Sequence, residues 1–260
     1  MLINQVLIYS ENHFVKNPKG IVIVTHGIAL HSLYYRRIAE LLNQADYSVV
    51  LYDVRGHGKS QGKRGDIKNV FQFTSDLYEL VEQTKKHNNL PIYLLGHSMG
   101  GIITKLYATL YDNFDGSIIV SSPHQTPKLG IFGMLPAFIF GGLRIKTDFS
   151  DTRLSHFPPT DNVDPYALKS FTYRLIIQTL KRGIKNIQKQ ISNYKKPVLA
   201  IHGSDDQIVN IKESIDFIES LKTNSKKFIE ISGGYHNLND DTVTEEALNQ
   251  IILWLNEQVS

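Results

Sequence analysis

One serine stands in a sequence context that could make it a nucleophile. Ser98 is the third residue of Gly-His-Ser-Met-Gly, residues 96–100, which follows the apolar run PIYLL and precedes GIITKLYATL. An apolar strand, a G-x-S-x-G turn and a helix form a nucleophile elbow, in which a sharp turn raises the serine hydroxyl above the end of a sheet. Gly96 and Gly100 leave room for neighbouring backbone at such a turn. The pattern therefore predicts covalent catalysis by Ser98.

A serine hydroxyl needs a general base, and the base needs an orienting carboxylate. The chain has ten histidines, and His236 lies in SGGYHNLND, between the last apolar run and the final helical pattern. That place predicts His236 as the base, because the loop reaches the end of the sheet where Ser98 stands. The preceding loop, AIHGSDDQIV, offers Asp205 and Asp206 as the acid. Both fit the chain order serine, aspartate, histidine that this elbow favours, so the residues alone leave the choice open.

Acyl transfer also needs hydrogen-bond donors for the oxyanion that develops in the transition state. The backbone N–H of Met99, next to the nucleophile, is predicted to be one donor. The loop after IVIVTHG is predicted to supply the other through the N–H of Ile28. This chemistry requires no metal and no cofactor, and none is predicted.

The elements expected to hold these groups alternate between strands and helices. Continuous apolar runs of strand length are typical of strands buried on both faces of a parallel sheet. Helical periodicities lie between them, for example through Leu77, Leu80 and Val81. The alternation predicts an α/β fold with a mostly parallel, doubly wound sheet. The runs are GIVIVTHG (20–27), YSVVLYD (47–53), LPIYLLG (90–96), GSIIVSS (116–122), PVLAIHG (197–203) and KFIEIS (227–232).

One segment interrupts this alternation. No strand is expected between residues 123 and 196, and YALKSFTYRLIIQTLKRGIKNIQKQI (166–191) is predicted to form one long amphipathic helix. A block of roughly 70 residues is too long for an ordinary connection between strands. We therefore predict a helical cap at 123–196, inserted into a core domain of residues 1–122 and 197–260.

The predicted cap contains an apolar segment, LGIFGMLPAFIFGGL, at residues 129–143. Phe132, Leu135, Phe138 and Ile139 lie near one face of a helix at this spacing. They are predicted to contact an acyl chain or to make transient contact with a membrane surface. The alternative is that they pack against the core domain.

Composition excludes several other classes of protein. The net charge is only +3, and no dense stripe of Lys and Arg points to nucleic acid. The absence of cysteine excludes disulfides, thiolate nucleophiles and cysteine-ligated zinc. Residues 1–14 lack the features of a signal peptide, and no apolar run reaches the length of a membrane span. A cytoplasmic protein with a small-molecule partner is predicted, and its oligomeric state is left open.

Six segments carry a resemblance to a known family: THGIALHSLYYRRIAELL, DVRGHGKSQGKRG, GHSMGG, VDP, IHGSDDQIV and GGYHNL. In this order they resemble the monoacylglycerol lipase and lysophospholipase branch of the α/β-hydrolases. The resemblance extends over about residues 21–255 and is weakest in the predicted cap. It implies an α/β-hydrolase fold with a helical cap that shapes an acyl pocket.

The resemblance also assigns roles to individual residues. It implies Ser98 as the nucleophile and His236 as the base. The acid is the fifth residue of H-G-x-x-D-x-x-V, which is Asp206. Ile28 and Met99 are implied as the oxyanion donors. The activity that follows is hydrolysis of carboxylic esters of lipid-like substrates through an acyl-enzyme.

One departure from the family concerns the segment after the oxyanion loop, where members often carry H-G-x-x-E-H-S-x-R-Y. His31, Ser32 and Tyr35 match this pattern, and His31 is predicted to contact the substrate. Leu30 and Tyr34 replace the Glu and the Arg. Because those two charges could meet polar headgroups, their loss favours a broader esterase. The alternatives are a lysophospholipase, a short-chain or aryl carboxylesterase and, in another class, a non-catalytic lipid-binding protein of the same fold.

Overall fold

A seven-stranded sheet lies at the centre of the part of the chain that the structure describes. The structure is a computed structural model, and it describes residues 1–86, 89–127, 137–156, 164–238 and 242–259. The strands are β1 (Leu2–Ile3), β2 (Val6–Leu7), β3 (Ser10–His13), β4 (Gly20–Thr25), β5 (Tyr47–Tyr52), β6 (Ile92–His97), β7 (Gly116–Val120), β8 (Arg144–Lys146), β9 (Ser170–Thr172), β10 (Val198–Gly203) and β11 (Lys226–Ile231). The helices are α1 (Arg36–Gln44), α2 (Phe71–Lys85), α3 (Met99–Leu110), α4 (Ala137–Phe140), α5 (Tyr173–Ile176), α6 (Ile184–Gln190), α7 (Lys212–Ser220) and α8 (Thr244–Val259). A π-helical stretch, Ile177–Gly183, joins α5 to α6.

The central sheet has the strand order β11-β10-β7-β6-β4-β5-β3. All neighbours are parallel except β3 and β5, which pair antiparallel at one edge. Strands β4, β5, β6, β7 and β10 are buried along their whole length. Burial of this kind is what continuous apolar runs predict for a parallel sheet covered on both faces.

Alternate residues of each strand contribute to two separate hydrophobic clusters. Ile21 and Ile23 of β4 pack in the cluster that contains α2 and α3, whereas Val22 and Val24 pack in the one that contains α1 and α8. Successive side chains of a strand point to opposite faces, so helices cover both sides of the sheet. The prediction of a mostly parallel, doubly wound sheet is confirmed.

The segment between β7 and β10 contains two strands that were not predicted from the sequence. Strands β8 and β9 pair antiparallel, with Arg144 opposite Thr172 and Lys146 opposite Ser170. The prediction of a strand-free segment at 123–196 is therefore wrong. Each strand is only three residues long, which is too short for a period of two to stand out from the sequence.

The predicted helix over residues 166–191 is also wrong in its first part, because the chain bends at residues 165–167 and at Lys169 and then forms β9. The side-chain oxygen of Thr172 accepts a hydrogen bond from the N–H of Leu175 at 3.1 Å. This is an N-cap contact, and it fixes the start of the helical stretch at Tyr173. Phe171 matches the helical spacing but lies in β9. The division of the chain at residues 122 and 197 into core and cap stays a prediction.

Asp66, in the loop before α2, ties the segment around β9 to the rest of the molecule. Its carboxylate accepts hydrogen bonds from Thr172 Oγ1 and from Arg174 Nε, both at 2.8 Å. Burial acts to raise the pKa of Asp66, but the hydrogen bonds from Arg174 and Thr172 outweigh it and lower the pKa to about 2. The ionised carboxylate therefore stabilises the contact between the two segments.

Replacement of Asp66 by asparagine is expected to lower the free energy of unfolding at pH 7 by about 2 kcal/mol, which corresponds to the depressed pKa. Because the pKa is lower in the folded state, this stabilisation is present above the pKa of the unfolded state and is lost as the pH falls towards 2. Urea denaturation of wild type and Asp66→Asn at pH 7 and pH 3 measures it. The difference between the two proteins should shrink at pH 3, and an undiminished difference would contradict this account.

Candidate active site

Ser98 forms a tight turn between β6 and α3. Its φ is 53°, in the left-handed region that residues other than glycine rarely adopt. The N–H of Ser98 donates to Val120 O at 2.9 Å. Its carbonyl oxygen accepts from Ile102 N at 3.2 Å and from Ser122 Oγ at 2.9 Å. These contacts hold the strained turn at the carboxyl edge of the sheet, as the elbow motif predicts.

Two glycines permit the close packing of this turn. A Cβ atom on Gly100 would lie 2.0 Å from the carbonyl oxygen of Thr25, and one on Gly96 would lie 2.5 Å from the carbonyl oxygen of Gly100. Both obstacles are backbone atoms, which cannot give way without displacing a strand or a helix. The need for glycine at both positions agrees with the sequence-based expectation.

His236 connects Ser98 to Asp206. His236 Nε2 lies 3.0 Å from Ser98 Oγ, and His236 Nδ1 lies 2.8 Å from Asp206 Oδ2. In the tautomer that fits these partners, Nδ1–H donates to the carboxylate and Nε2 accepts from the serine hydroxyl. His236 is buried, with 4% of its surface exposed. The structure thus brings three residues singled out from the sequence into one hydrogen-bonded row.

Asp206 is held by the backbone as well as by histidines. Its Oδ1 accepts from Ile208 N at 2.8 Å and from Val209 N at 2.9 Å. Its Oδ2 also lies 3.0 Å from His202 Nε2. Burial acts to raise the pKa of Asp206, but hydrogen bonds from His202 and His236 outweigh it and hold the pKa well below its ordinary value. The carboxylate is therefore ionised at neutral pH, as an acceptor for His236 must be.

Asp205 is turned away from His236. It is exposed, and its carboxylate accepts a hydrogen bond from Ser204 Oγ at 2.9 Å. Its backbone N–H donates to Gly234 O at 2.9 Å. Of the two carboxylates that the loop offers, Asp206 is the one that reaches the histidine.

Ile28 and Met99 place two unused backbone donors beside Ser98. Among the described residues, neither N–H has a hydrogen-bond acceptor. Met99 is the first residue of α3, so its N–H lies at the positive end of the helix dipole. Ala29, which follows Ile28, has a φ of 63°, and its carbonyl oxygen accepts from Leu168 N at 2.9 Å. The arrangement suits an anion at Ser98, and the role of the two N–H groups as oxyanion donors stays a prediction.

A buried hydrogen-bond chain, which was not predicted from the sequence, links this loop to the loop of His236. The Tyr35 hydroxyl accepts from Gly27 N at 3.1 Å and lies 2.7 Å from His97 Nδ1. His97 Nε2 lies 3.0 Å from the carbonyl oxygen of His236. Burial lowers the pKa of His97 to about 3, so the neutral ring accepts from Tyr35 and donates to His236 O. The only sequence signal was that Tyr35 and His97 match the family motifs.

Two cavities open on Ser98. The first, which we name the Phe171 cavity, has a volume of about 240 Å³, and the second, the His236 cavity, has a volume of about 130 Å³. Ser98 and Ile28 line both. The walls of the Phe171 cavity are mostly apolar and include Met99, Phe171, Ile176, Leu180 and Ile208. The walls of the His236 cavity include Leu30, Thr147, Asp148, Phe149 and Asn237.

His31 lies in the same loop as Ile28 and outside the described walls of both cavities. Its Nε2 is 2.6 Å from Asp164 Oδ2, and only 3% of its surface is exposed. This contact joins the loop to the segment that precedes β9. Direct contact of His31 with a substrate stays a prediction.

The four apolar residues predicted to meet an acyl chain divide into two pairs. Phe138 and Ile139 belong to α4, where they are 88% and 62% exposed, and they are not among the described residues that line the two cavities. Phe132 and Leu135 lie outside the described residues. Substrate contact by all four stays a prediction.

The described part of the chain shows neither a metal-binding cluster nor a helix that could span a membrane. There, no group of three or more histidine, aspartate or glutamate side chains could hold a metal ion. Nor does any helix within the described ranges combine the length and the apolar character needed to cross a membrane. The cytoplasmic location expected from the sequence stays a prediction.

The fold and the site together define a class of protein. A mostly parallel sheet whose central strand leads into a serine elbow, with the chain order Ser98, Asp206 and His236, is the arrangement of the α/β-hydrolases. The predicted fold class is confirmed.

Comparison with known proteins identifies the family. The family model described as serine aminopeptidase, S33 (Hydrolase_4) matches residues 16–242, and the chain belongs to this family. It is 26% identical over 255 residues to a monoglyceride lipase of Rattus norvegicus, covering 94% of this chain and 84% of the relative. It is 25% identical over 248 residues to a monoacylglycerol lipase of Mycolicibacterium smegmatis, covering 92% and 89%.

A solved structure extends the similarity to three dimensions. The crystal structure of the monoacylglycerol lipase of Paleococcus ferrophilus matches with a TM-score of 0.85 and 27% identity, over 97% of this chain and 99% of that chain. The resemblance to monoacylglycerol lipases seen in the sequence is confirmed, and the chain is a carboxylic ester hydrolase in class.

Proposed function

We propose that this chain hydrolyses monoacylated, lipid-like carboxylic esters such as monoacylglycerols, with Ser98 as the nucleophile, His236 as the base and Asp206 as the orienting acid. The observation that carries the proposal is the 3.0 Å contact between Ser98 Oγ and His236 Nε2 at the mouth of an apolar cavity. The names of the relatives support the substrate class, since two of them are lipases of monoacylglycerols.

The geometry supports a two-step acyl transfer. His236 Nε2 takes the proton of Ser98 as the hydroxyl oxygen attacks the ester carbonyl carbon. The negative charge that forms on the carbonyl oxygen is met by the N–H groups of Ile28 and Met99, and each such donor is worth about 3 kcal/mol of barrier. Asp206 holds the imidazole in the required tautomer and stabilises its charged form. His236 then gives the proton to the leaving alcohol, and water repeats the sequence on the acyl-enzyme.

The two cavities take different halves of the substrate. The leaving oxygen must lie near His236 Nε2 to receive its proton, and His236 lines only the smaller cavity. The alcohol therefore occupies the His236 cavity and the acyl chain occupies the Phe171 cavity. The apolar walls of Phe171, Ile176 and Leu180 suit a hydrocarbon chain.

The acyl side of this site is shared between the two predicted domains. Phe171, Ile176 and Leu180 belong to the predicted cap at 123–196, whereas Met99 and Ile208 belong to the predicted core. A cap that supplies one wall of the cavity would shape the acyl pocket, as the family resemblance implies.

The same region presents an apolar surface that could meet a lipid aggregate. Phe138, Ile139 and Leu143 are 88%, 62% and 54% exposed, and the cations Arg144 and Lys146 follow directly. Exposed apolar side chains beside cations favour transient binding to an anionic lipid surface. Co-sedimentation of the protein with anionic but not zwitterionic vesicles tests this contact, and its absence from both would end the idea.

Rates of hydrolysis for p-nitrophenyl esters from acetyl to palmitoyl, with a monoacylglycerol alongside, test the proposed function. Turnover of the monoacylglycerol and a preference for acyl chains longer than acetyl are expected, because burial of each additional CH₂ in the apolar cavity contributes about 0.8 kcal/mol to binding. Turnover restricted to acetyl or aryl esters would show instead that the chain is a general carboxylesterase. In that case the replacement of the family's Glu and Arg by Leu30 and Tyr34 would mark a change of substrate.

A further inference from the structure

The His236 cavity has polar groups on the side where the alcohol would lie. Thr147, Asp148 and Asn237 line it together with His236, and neither lysine nor arginine does so among the described residues. Within that part of the chain, Asp148 is the only charged carboxylate of this cavity. An alcohol bound in this cavity would therefore have the carboxylate of Asp148 in the surrounding wall.

The conformation of Asp148 keeps hydrogen-bonding capacity available. Its Oδ1 accepts from the N–H of Ser150 at 3.0 Å and from Ser150 Oγ at 2.6 Å. Its Oδ2 has no partner among the described residues. A carboxylate oxygen is an acceptor only, so it can receive a hydrogen bond from a hydroxyl group but not from a phosphate dianion.

The loop that carries Asp148 is fixed by the neighbouring residue. Thr147 N donates to Lys169 O at 3.0 Å, and Thr147 Oγ1 donates to Leu168 O at 2.6 Å. These bonds continue the pairing of β8 with β9, and they hold the first residue of the loop in register. The threonine oxygen can still accept a hydrogen bond, which adds a second polar contact for a hydroxylated alcohol.

We propose that Asp148 determines the specificity for the leaving alcohol: it binds the free hydroxyls of an uncharged polyol such as glycerol and repels an alcohol that carries phosphate. The inference rests on the proposed function and narrows it, because it favours monoacylglycerols over lysophospholipids with anionic headgroups. It also accounts for the loss of the family's Glu at Leu30. Leu30 lines the same cavity. There the carboxylate of Asp148, on another loop, binds the headgroup in place of the family's Glu.

Three octanoyl esters that differ only in the alcohol test this inference: the esters of glycerol, ethanol and glycerol 3-phosphate. For the wild type, kcat/KM should be highest for the glycerol ester and lowest for the phosphate ester. In Asp148→Asn the ratio of the glycerol ester to the ethyl ester should fall about tenfold, as expected for the loss of one charge-assisted hydrogen bond. In Asp148→Lys the ratio of the phosphate ester to the glycerol ester should rise at least about tenfold.

Salt and a control variant separate recognition from structure. Repulsion between Asp148 and phosphate is screened by salt, so wild-type kcat/KM for the phosphate ester should rise with ionic strength and that of Asp148→Asn should stay flat. Asp112→Asn is the matched control. Asp112 is an exposed carboxylate beyond the far end of α3 from Ser98, and its replacement should leave all three ratios unchanged.

Two results would overturn the inference. Equal losses for all three esters in Asp148→Asn would show that Asp148 only maintains the loop. Equal values of kcat/KM for the phosphate ester and the glycerol ester in the wild type would show that the cavity does not discriminate between alcohols by charge. Failure of the proposed function itself looks different, because then none of the three esters would be hydrolysed in a Ser98-dependent way.

Discussion

Replacement of Ser98 by alanine is expected to lower kcat for ester hydrolysis by about 10⁶-fold, the loss found when a serine nucleophile that works with a histidine base is removed. In the proposed mechanism the hydroxyl oxygen forms the acyl-enzyme, and it lies 3.0 Å from His236 Nε2. The backbone bonds that hold the turn, to Val120 and from Ile102, do not involve the side chain. The variant should therefore fold normally. Measurements of kcat and of the thermal unfolding midpoint for both proteins separate a loss of catalysis from a loss of folding.

Ser121→Ala is the matched control for this experiment. Ser121 is also a buried serine with a positive φ of 46°, at the end of β7, and it does not line the described walls of either cavity. Its hydroxyl has no hydrogen-bond partner among the described residues. The control should keep activity within a few fold of the wild type. A Ser98→Ala variant that kept comparable activity would remove Ser98 from the mechanism.

The parts of the fold that could be predicted are those in which local pattern and tertiary environment agree. The strands β4, β5, β6, β7 and β10 are buried on both faces, so their sequences are apolar throughout and the runs stand out. The elbow at Ser98 was predictable for a related reason. A Cβ atom on Gly100 would lie 2.0 Å from a backbone oxygen, so only glycine fits there. This requirement leaves few other sequences for the turn.

The segment around β9 could not be predicted because long-range contacts decide its conformation. Leu168, Phe171 and Leu175 have helical spacing, but Leu168 N donates to Ala29 O and Thr172 N donates to Gly65 O. These bonds to distant loops keep residues 168–172 out of a helix. A local periodicity cannot reveal them, and an intrinsic preference for helix is overridden when tertiary partners satisfy the backbone in another way.

The walls of the two cavities could not be predicted from the sequence either, because long-range contacts bring them together. Ile208 and Phe171 come from loops or strands far apart in the chain and meet only in the folded molecule. Asp148 had no motif around it, and its place in the His236 cavity follows from the pairing of β8 with β9. The family motifs contain Ser98, Asp206 and His236, whereas Phe171 and Asp148 in the cavity walls belong to the segment where the resemblance is weakest.

Asp206→Asn is expected to lower kcat by about 10⁴-fold, whereas Asp205→Asn should change it by only a few fold. Asp206 Oδ2 accepts from His236 Nδ1 at 2.8 Å and lies 3.0 Å from His202 Nε2, while Oδ1 accepts from Ile208 and Val209. An asparagine must place its NH₂ group against one of these two sets of donors. If it keeps the backbone bonds, the NH₂ faces His236 and forces Nδ1 to become an acceptor. The ring then carries its proton on Nε2, and it cannot take one from Ser98.

Asp205→Asn is the matched control for Asp206→Asn, because each change removes one negative charge from the same loop. Asp205 is exposed and does not contact His236. Values of kcat at pH 7 to 9 for the two variants, with circular dichroism to verify folding, measure the difference. A general effect of charge on the site would make the two losses similar. A larger loss in Asp205→Asn would mean that the loop rearranges in the working enzyme and that the orienting carboxylate is the other one. A loss confined to Asp206→Asn assigns the tautomer of His236, and with it the direction of proton transfer, to this one side chain.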